Sequence, residues 1–292
     1  QRYKKEYVLI DYNDMILDFV KSDKSPKFDV VFIDEAQDLS MMQWSMAKSI
    51  WDKTQDTFIA GDDDQAIFRW AGADVDSKRV SKRLHKNWAP RDYQGSLSFH
   101  DEVKDLDMSE GRWLILSRTR FMLNDIEEEL RERGWYFENR FKKSAEKDII
   151  EAATDWENAR KGAPLAYSQI EKIYSNMTSK HVNKEALKGM AKESFYTIQV
   201  LKDQYDLKTD AVWYEAFDNT DFRTKNYIRG LRRNGENLKQ SPRIKLSTIH
   251  SYKGGEEENV VLLTDLTTNT HKSYLKNPDD ETRLFYVGAT RT

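Results

Sequence analysis

Cysteine is absent from all 292 residues. That absence excludes a disulfide scaffold, zinc knuckles, iron–sulfur ligation and thiol nucleophiles together, and it suits a reducing, intracellular address. Proline is scarce, at 5 residues. No apolar run approaches the roughly 18 residues that a membrane-spanning helix needs. The opening QRYKKEYVLI lacks the apolar core of a secretory signal. Nor is either charge in excess: 47 basic residues stand against 50 acidic ones, a formal net charge of −3. These absences predict a soluble cytoplasmic protein (in a host's cytoplasm, were the source viral) with no membrane partner. An initiator methionine is also missing, and the chain stops at Thr292 directly after the apolar, strand-like run LFYVGATRT. We therefore expect a fragment of a longer protein.

The length exceeds what one ordinary core fills, which predicts two domains or one domain with a large insertion. Charge is unevenly distributed, and distribution matters more than the sum. Lys78 to Arg91 holds six basic residues and no acidic one, and Asp221 to Lys253 holds nine basic against two acidic. Each run reads either as a solvated face or as a phosphate-binding patch.

Five short apolar runs end in polar residues: DVVFIDEAQD (Asp29–Asp38), TFIAGDDDQ (Thr57–Gln65), WLILSRTR (Trp113–Arg120), IKLSTIH (Ile244–His250) and VVLLTDL (Val260–Leu266). Runs of this kind fit strands buried on both faces of a parallel sheet. Helix-period segments lie between them: DYNDMILDFVKS, MMQWSMAKSIWDK and LNDIEEELRERG, the last closed by Gly134. Alternating strands and helices predict an α/β fold. From about Ser144 to Gln240 strand signals vanish and amphipathic helices follow one another, which predicts an all-helical inserted subdomain. No internal repeat or low-complexity tract is present.

In VVFIDEAQD a strand ends in Asp34 and Glu35, at the edge where parallel sheets bind ligands. One carboxylate there can hold magnesium and its neighbour can take a proton from water. The alternative is a helix N-cap, with Asp34 or Asp38 preceding a helix from Leu39. A second strand ends in Gly61-Asp62-Asp63-Asp64-Gln65, where the glycine permits a sharp turn and Gln65 offers an amide to an oxygen at the same edge. Trp70, next to Arg69 and small residues, is either a stacking platform for a base or a core residue.

Taken together, DEAQD, GDDDQAIFRWAGA, TIHSYKGGEEENVVLL and ETRLFYVGATRT resemble, in order, motifs II, III, V and VI of the UvrD/Rep/PcrA-like superfamily 1 DNA helicases. DYNDMILDF resembles the acidic-aromatic helix ahead of motif II. The resemblance implies RecA-like parallel-sheet core domains of the P-loop NTPase type: residues 1–82 in the first, 83–143 and 243–292 in the second, and 144–242 as a helical insertion. It implies ATP and Mg2+ as cofactors, single-stranded and duplex DNA as partners, and 3′-to-5′ movement with unwinding. Protein partners are not indicated.

Residue by residue, the resemblance implies that Asp34 coordinates magnesium, that Glu35 activates the hydrolytic water, and that Gln37 and Gln65 couple the γ-phosphate to DNA. Trp70 would stack on a base, a contact worth about 1–3 kcal/mol. Thr248 and His250 would lie at the DNA and Glu256 at the ribose. Arg291 would be the arginine finger, a group worth on the order of 10³–10⁵ in rate, with Arg283 a lesser candidate. Arg232 and Arg233, in the basic IRGLRRNGENLK, would meet duplex phosphates or form a solvated helix face.

Two departures stand out. Where the family reads close to N-Y-R-S, this chain has Asn87-Trp88-Ala89-Pro90. Trp88 can still stack on adenine, but Ala89 stands in the arginine's place, and Arg91 is either a phosphate ligand beyond a stiff proline or a solvated charge. The phosphate-cradling GxxxxGK[ST] loop is absent, since none of the 12 glycines precedes a lysine. The expectation is therefore a helicase motor whose 292-residue piece is inactive alone. The alternatives are the motor of a helicase–nuclease and a silent DNA-binding module.

Overall fold

The computed structural model describes residues 2–7, 9–73, 96–140 and 142–292. Trp88 and Arg91, and with them the basic run from Lys78 to Arg91, lie outside the described residues. The chain divides into two compact units: Gln1–Leu97 with Thr248–Glu256 and Thr264–Thr292, and Ser98–Ser247 with Glu257–Leu263.

The first unit contains helices α1 (Arg2–Tyr7) and α2 (Tyr12–Ser22), strand β1 (Val30–Ile33), helix α3 (Met41–Trp51) and strand β2 (Asp56–Ile59). Local chemistry sets the helix starts. Asp11 caps α2 and Ser40 caps α3, each in a reciprocal capping box with the residue three positions on. The helix thus begins at Met41 under Ser40, and neither Asp34 nor Asp38 serves as its N-cap. β1 and β2 pair in parallel, with Val30 opposite Asp56 and Ile33 opposite Ile59. They were expected to be buried on both faces, but exposed and half-buried residues alternate along each. Only one face of the ladder is covered. On the other, Phe32 and Phe58 stack with centroids 5.1 Å apart and are 77% and 56% exposed.

The second unit opens with β3 (Trp113–Ser117), α4 (Leu123–Arg133), β4 (Phe137–Asn139) and β5 (Lys142–Lys143). Then come α5 (Lys147–Arg160), β6 (Leu165–Ala166), α6 (Tyr167–Ser175), β7 (Phe195–Tyr196), α7 (Ile198–Gln204), α8 (Trp213–Ala216) and α9 (Phe222–Arg233). β8 (Ile244–Thr248) and β9 (Asn259–Leu262) complete its sheet, in the order β5-β4-β8-β3-β9. β3 pairs in parallel with β9 and β4 with β8, while β5 turns back antiparallel on β4. Leu114 to Ser117 are fully buried, as a near-continuous apolar run in a parallel sheet requires. The mixed α/β architecture with a mostly parallel sheet matches the α/β part of the expected fold class.

The segment expected to be all-helical is mainly helical but also holds an antiparallel pair, β6 with β7. Between Lys184 and Tyr205 the chain is no single helix but a 3-10 turn at Lys184–Gly189, strand β7 and α7, which Thr197 caps. Its core gathers Trp156, Ile170, Ile173, Tyr174, Leu201 and Phe217. α4 and α9 cross backbone to backbone: a Cβ on Gly134 would fall 2.5 Å from the Gly230 carbonyl carbon. The Tyr227 hydroxyl donates to the Trp135 carbonyl at 2.7 Å, and Asn234 caps the end of α4.

Helices α10 (Thr268–Lys276) and α11 (Pro278–Ala289) return to the first unit. The strand-like reading of LFYVGATRT is corrected here, because most of it lies in α11. Pro278 fits the first helical turn, and Asp279, Asp280 and Glu281 complement its dipole. Glu281, Leu284, Val287 and Gly288 are buried at helical spacing. Among the described residues no helix is long and apolar enough to cross a membrane.

Candidate active site

The ends of β1 and β2 form one edge of the first unit. Backbone bonds from Ala60 to Ile33 and from Ala36 to Ala60 run side by side there, at 2.8 and 3.0 Å. They bring the Asp34–Asp38 turn against the Gly61–Gln65 turn. Glu35 takes a left-handed backbone, φ 52 and ψ 37. For a residue with a side chain this costs on the order of 1 kcal/mol, and such strain clusters at functional sites. Asp34 is exposed, and its Oδ1 accepts from the Glu35 amide at 2.8 Å.

Buried Gln37 joins the two turns. Its Nε2 donates to Glu35 Oε2 and its Oε1 accepts from the Asp62 amide at 2.9 Å. Gly61 makes room for this amide, since a Cβ there would sit 2.7 Å from Gln37 Oε1. Gln65 Nε2 donates to Asp62 Oδ2 at 3.0 Å. A chain of polar contacts therefore runs from Glu35 through Gln37 and Asp62 to Gln65.

The donor set at this edge is carboxylate oxygen: Asp34 and Glu35 from one turn, and Asp62, Asp63 and Asp64 from the other. The last three offer ligand atoms within 4.8 Å of one another. Hard oxygen donors suit magnesium, so these residues fit the implied ion. They supply no cradle of backbone amides for a triphosphate.

The Thr248–Glu256 segment adds a residue that sequence reasoning did not assign. Lys253 Nζ donates to Asp38 Oδ2 at 2.5 Å and to the Gln65 carbonyl at 2.9 Å, and lies 3.4 Å from Glu35 Oε2. Burial pushes the Asp38 carboxyl up, against the opposing pull of Lys253. The sequence signals were the lysine before a Gly-Gly pair and the third acid of DEAQD.

The other expected residues are placed as follows. Thr248 accepts from the Ser251 amide at 3.3 Å and holds the 3-10 turn His250–Tyr252, where the His250 ring lies 6.1 Å from that of Phe68. Glu256 is exposed, and its neighbour Glu257 is the buried acid, paired with Arg112 and Lys245 in the second unit. Trp70 belongs to the 3-10 turn Arg69–Ala71. α11 packs against the Asp63–Gln65 turn. Arg283 lies 3.8 Å from Asp280, and buried Arg291 donates to the Val287 carbonyl at 2.8 Å and to Thr290 Oγ1 at 3.0 Å. In the second unit, Arg232 stacks over Trp213 at 5.2 Å and donates to Thr154, and burial lowers its pKa; Arg233 is exposed. Glu35, Gln37 and Gln65 thus meet in one network, with Asp34 at its margin.

Residues 1–85 match the UvrD/REP helicase N-terminal domain family. The chain is 33% identical over 75 residues to the ATP-dependent DNA helicase PcrA of Bacillus subtilis, a stretch that is 23% of this chain and 10% of that protein. It is 37% identical over 70 residues to DNA helicase II of Haemophilus influenzae, 21% of this chain and 10% of the relative. It is also 33% identical over 96 residues to the RecB subunit of the RecBCD enzyme of Buchnera aphidicola, 29% of this chain and 8% of the relative. The chain spans about a tenth of the length of these relatives.

Proposed function

With residues 1–85 being UvrD/PcrA-like, we propose that the chain is part of an ATP-dependent DNA helicase that moves 3′ to 5′ along single-stranded DNA. The observation that carries this reading is the polar chain Glu35–Gln37–Asp62–Gln65 at the carboxyl edge of two parallel strands. It joins a group able to take a proton from water to a group able to register an oxygen, and the strained backbone of Glu35 marks the same point.

In this reading residues 1–82 belong to the first core domain, 83–143 and 243–292 to the second, and 144–242 to an insertion facing duplex DNA, with Thr248–Glu256 and Thr264–Thr292 of the second domain grouped with the first unit in this structure. The phosphate-cradling loop comes from outside these residues. Asp34 would hold magnesium, with the Asp62–Asp64 carboxylates on the adjoining turn. When bound, the ion would supply positive charge to offset that of the phosphates. Glu35 takes the water's proton, and Gln37 fixes its Oε2 by hydrogen bonding. Gln65 reports on the γ-phosphate position. Arg291 supplies charge once its guanidinium leaves the Val287 carbonyl, with Arg283 of α11 the lesser candidate. Trp88 stacks on adenine, Arg91 meets phosphate and Glu256 holds the ribose. Trp70, Thr248 and His250 grip single-stranded DNA, and Arg232 and Arg233 approach the duplex.

Glu35→Gln in the full-length protein tests the assignment. ATP binding is retained while DNA-stimulated turnover falls about 100-fold or more, as expected on losing a positioned general base. Wild-type turnover in that variant would sink the reading. The RecB match supports a second one, the motor part of a helicase–nuclease, which nuclease assays on the full-length protein separate from the first.

A further inference from the structure

The proposed function gives no task to Lys253, the buried lysine at this edge. Lys253 is drawn in by its own turn. Gly254 adopts φ +83, and a Cβ on Gly255 would lie 2.4 Å from the Tyr252 ring, so the Gly-Gly pair is what lets the chain fold back under that ring. The Lys253 side chain is only 8% exposed. An ammonium withdrawn from water in this way is costly unless paired and hydrogen-bonded. Lys253 meets that demand with the Asp38 carboxylate, the Gln65 carbonyl, Glu35 Oε2 and the face of Phe68, 5.5 Å from its centroid.

These contacts have a consequence for Glu35. Its side chain is 56% exposed, and a long carboxylate at such a site has several rotamers to choose among. Gln37 and Lys253 are the two groups that hold Oε2, and Oε1 accepts no hydrogen bond among the described residues. Lys253 is itself anchored to both turns, through Asp38 on the first and Gln65 on the second. We infer that Lys253 is a positioning residue for Glu35: it fixes Oε2 relative to both strand ends and leaves Oε1 as the oxygen that takes the proton. This inference rests on the reading of Glu35 as the group that activates water. It assigns Lys253 no contact with nucleotide or DNA.

The test uses the full-length protein, with kcat and KM for ATP measured at saturating DNA for Glu35→Gln, Lys253→Met and Lys48→Met. Lys48 pairs with Asp52 on the exposed side of α3 and serves as the control, with wild-type kcat expected. Misplacing a reacting group by about 1 Å costs on the order of 100-fold. Lys253→Met is therefore expected to lower kcat by about 10- to 100-fold with KM within about twofold of wild type. A raised KM at unchanged kcat would assign Lys253 to ligand binding and overturn the inference, as would wild-type kinetics. If Glu35→Gln abolishes turnover and Lys253→Met does not lower it, the functional reading stands and the positioning role falls. If Glu35→Gln retains turnover, the functional reading itself falls. Should Lys253→Met fail to fold, Asp38→Asn weakens the same anchor: a lowered kcat at constant KM supports the inference, and an unchanged kcat overturns it.

Discussion

Replacing Gly134 by alanine probes the crossing of α4 and α9 through two separable effects. The first is conformational. Gly134 ends α4 at φ +76, and a side chain in the left-handed region costs about 1–2 kcal/mol. The second is steric. The added Cβ would lie 2.5 Å from the Gly230 carbonyl carbon, 2.6 Å from its Cα and 2.9 Å from its oxygen. All three are backbone atoms of α9, so no flexible side chain can yield, and the helices must part at an overpacking cost of about 1–3 kcal/mol. The total is about 2–5 kcal/mol, a large share of a domain's net stability. Gly162 supplies the comparison, because it has φ +101 and nothing within 4 Å of its would-be Cβ. Gly162→Ala should show the conformational cost alone. Gly230→Ala meets Gly134 Cα at 2.9 Å, but gains about 1 kcal/mol of helix propensity and should cost less than Gly134→Ala. Urea unfolding followed by tryptophan fluorescence, with hydrogen exchange of the α9 amides, reads all three. Equal losses for Gly134→Ala and Gly162→Ala, within about 0.5 kcal/mol, would refute a backbone contact between these helices.

The remaining predictions concern buried polar groups and the proposed site. Tyr227→Phe should cost about 1–2 kcal/mol, because the Trp135 carbonyl loses a buried donor. Burial pushes the Tyr227 phenol up, so the stability it contributes is complete below the ordinary value of 10.0 and is lost as pH rises through the higher folded value; alkaline unfolding with phenolate absorbance checks this. Gly61→Ala should displace Gln37 and lower the full-length protein's turnover about tenfold or more with little change in melting temperature; unchanged turnover would remove Gln37 from the site. The 292 residues alone should release no phosphate from ATP, and robust magnesium-dependent release would show that the nucleotide site is misplaced.

Strand and helix positions were legible where local chemistry decides them. Asp11, Ser40 and Gly134 bound their helices as capping rules require, and the aliphatic run of β3 lies inside its sheet, between β8 and β9. α11 was misread because Leu284 to Val287 carry strand-favouring side chains, while the opposing signals, Pro278 and three acids, stand one turn earlier. β6 and β7, two residues each, are too short to carry a period. At the site, the motif residues gave Glu35, Gln37 and Gln65. The task of Lys253 was not legible, because Gln65 and Asp38 lie 188 and 215 positions away from it. The left-handed backbone of Glu35 was hidden too, since no glycine or asparagine announces it.

The discontinuity of the first unit bears on how the protein is made. Its opening 97 residues and its closing segments are separated by about 150 residues that build the second unit. At roughly 5–20 residues per second, on the order of ten seconds pass on the ribosome before Lys253 exists to meet Asp38. During that time the early strands lack the Lys253 contacts that tie their two turns together, while the later-born stretch has nearly all it needs to collapse by itself. The first unit is thus begun before the second and completed after it.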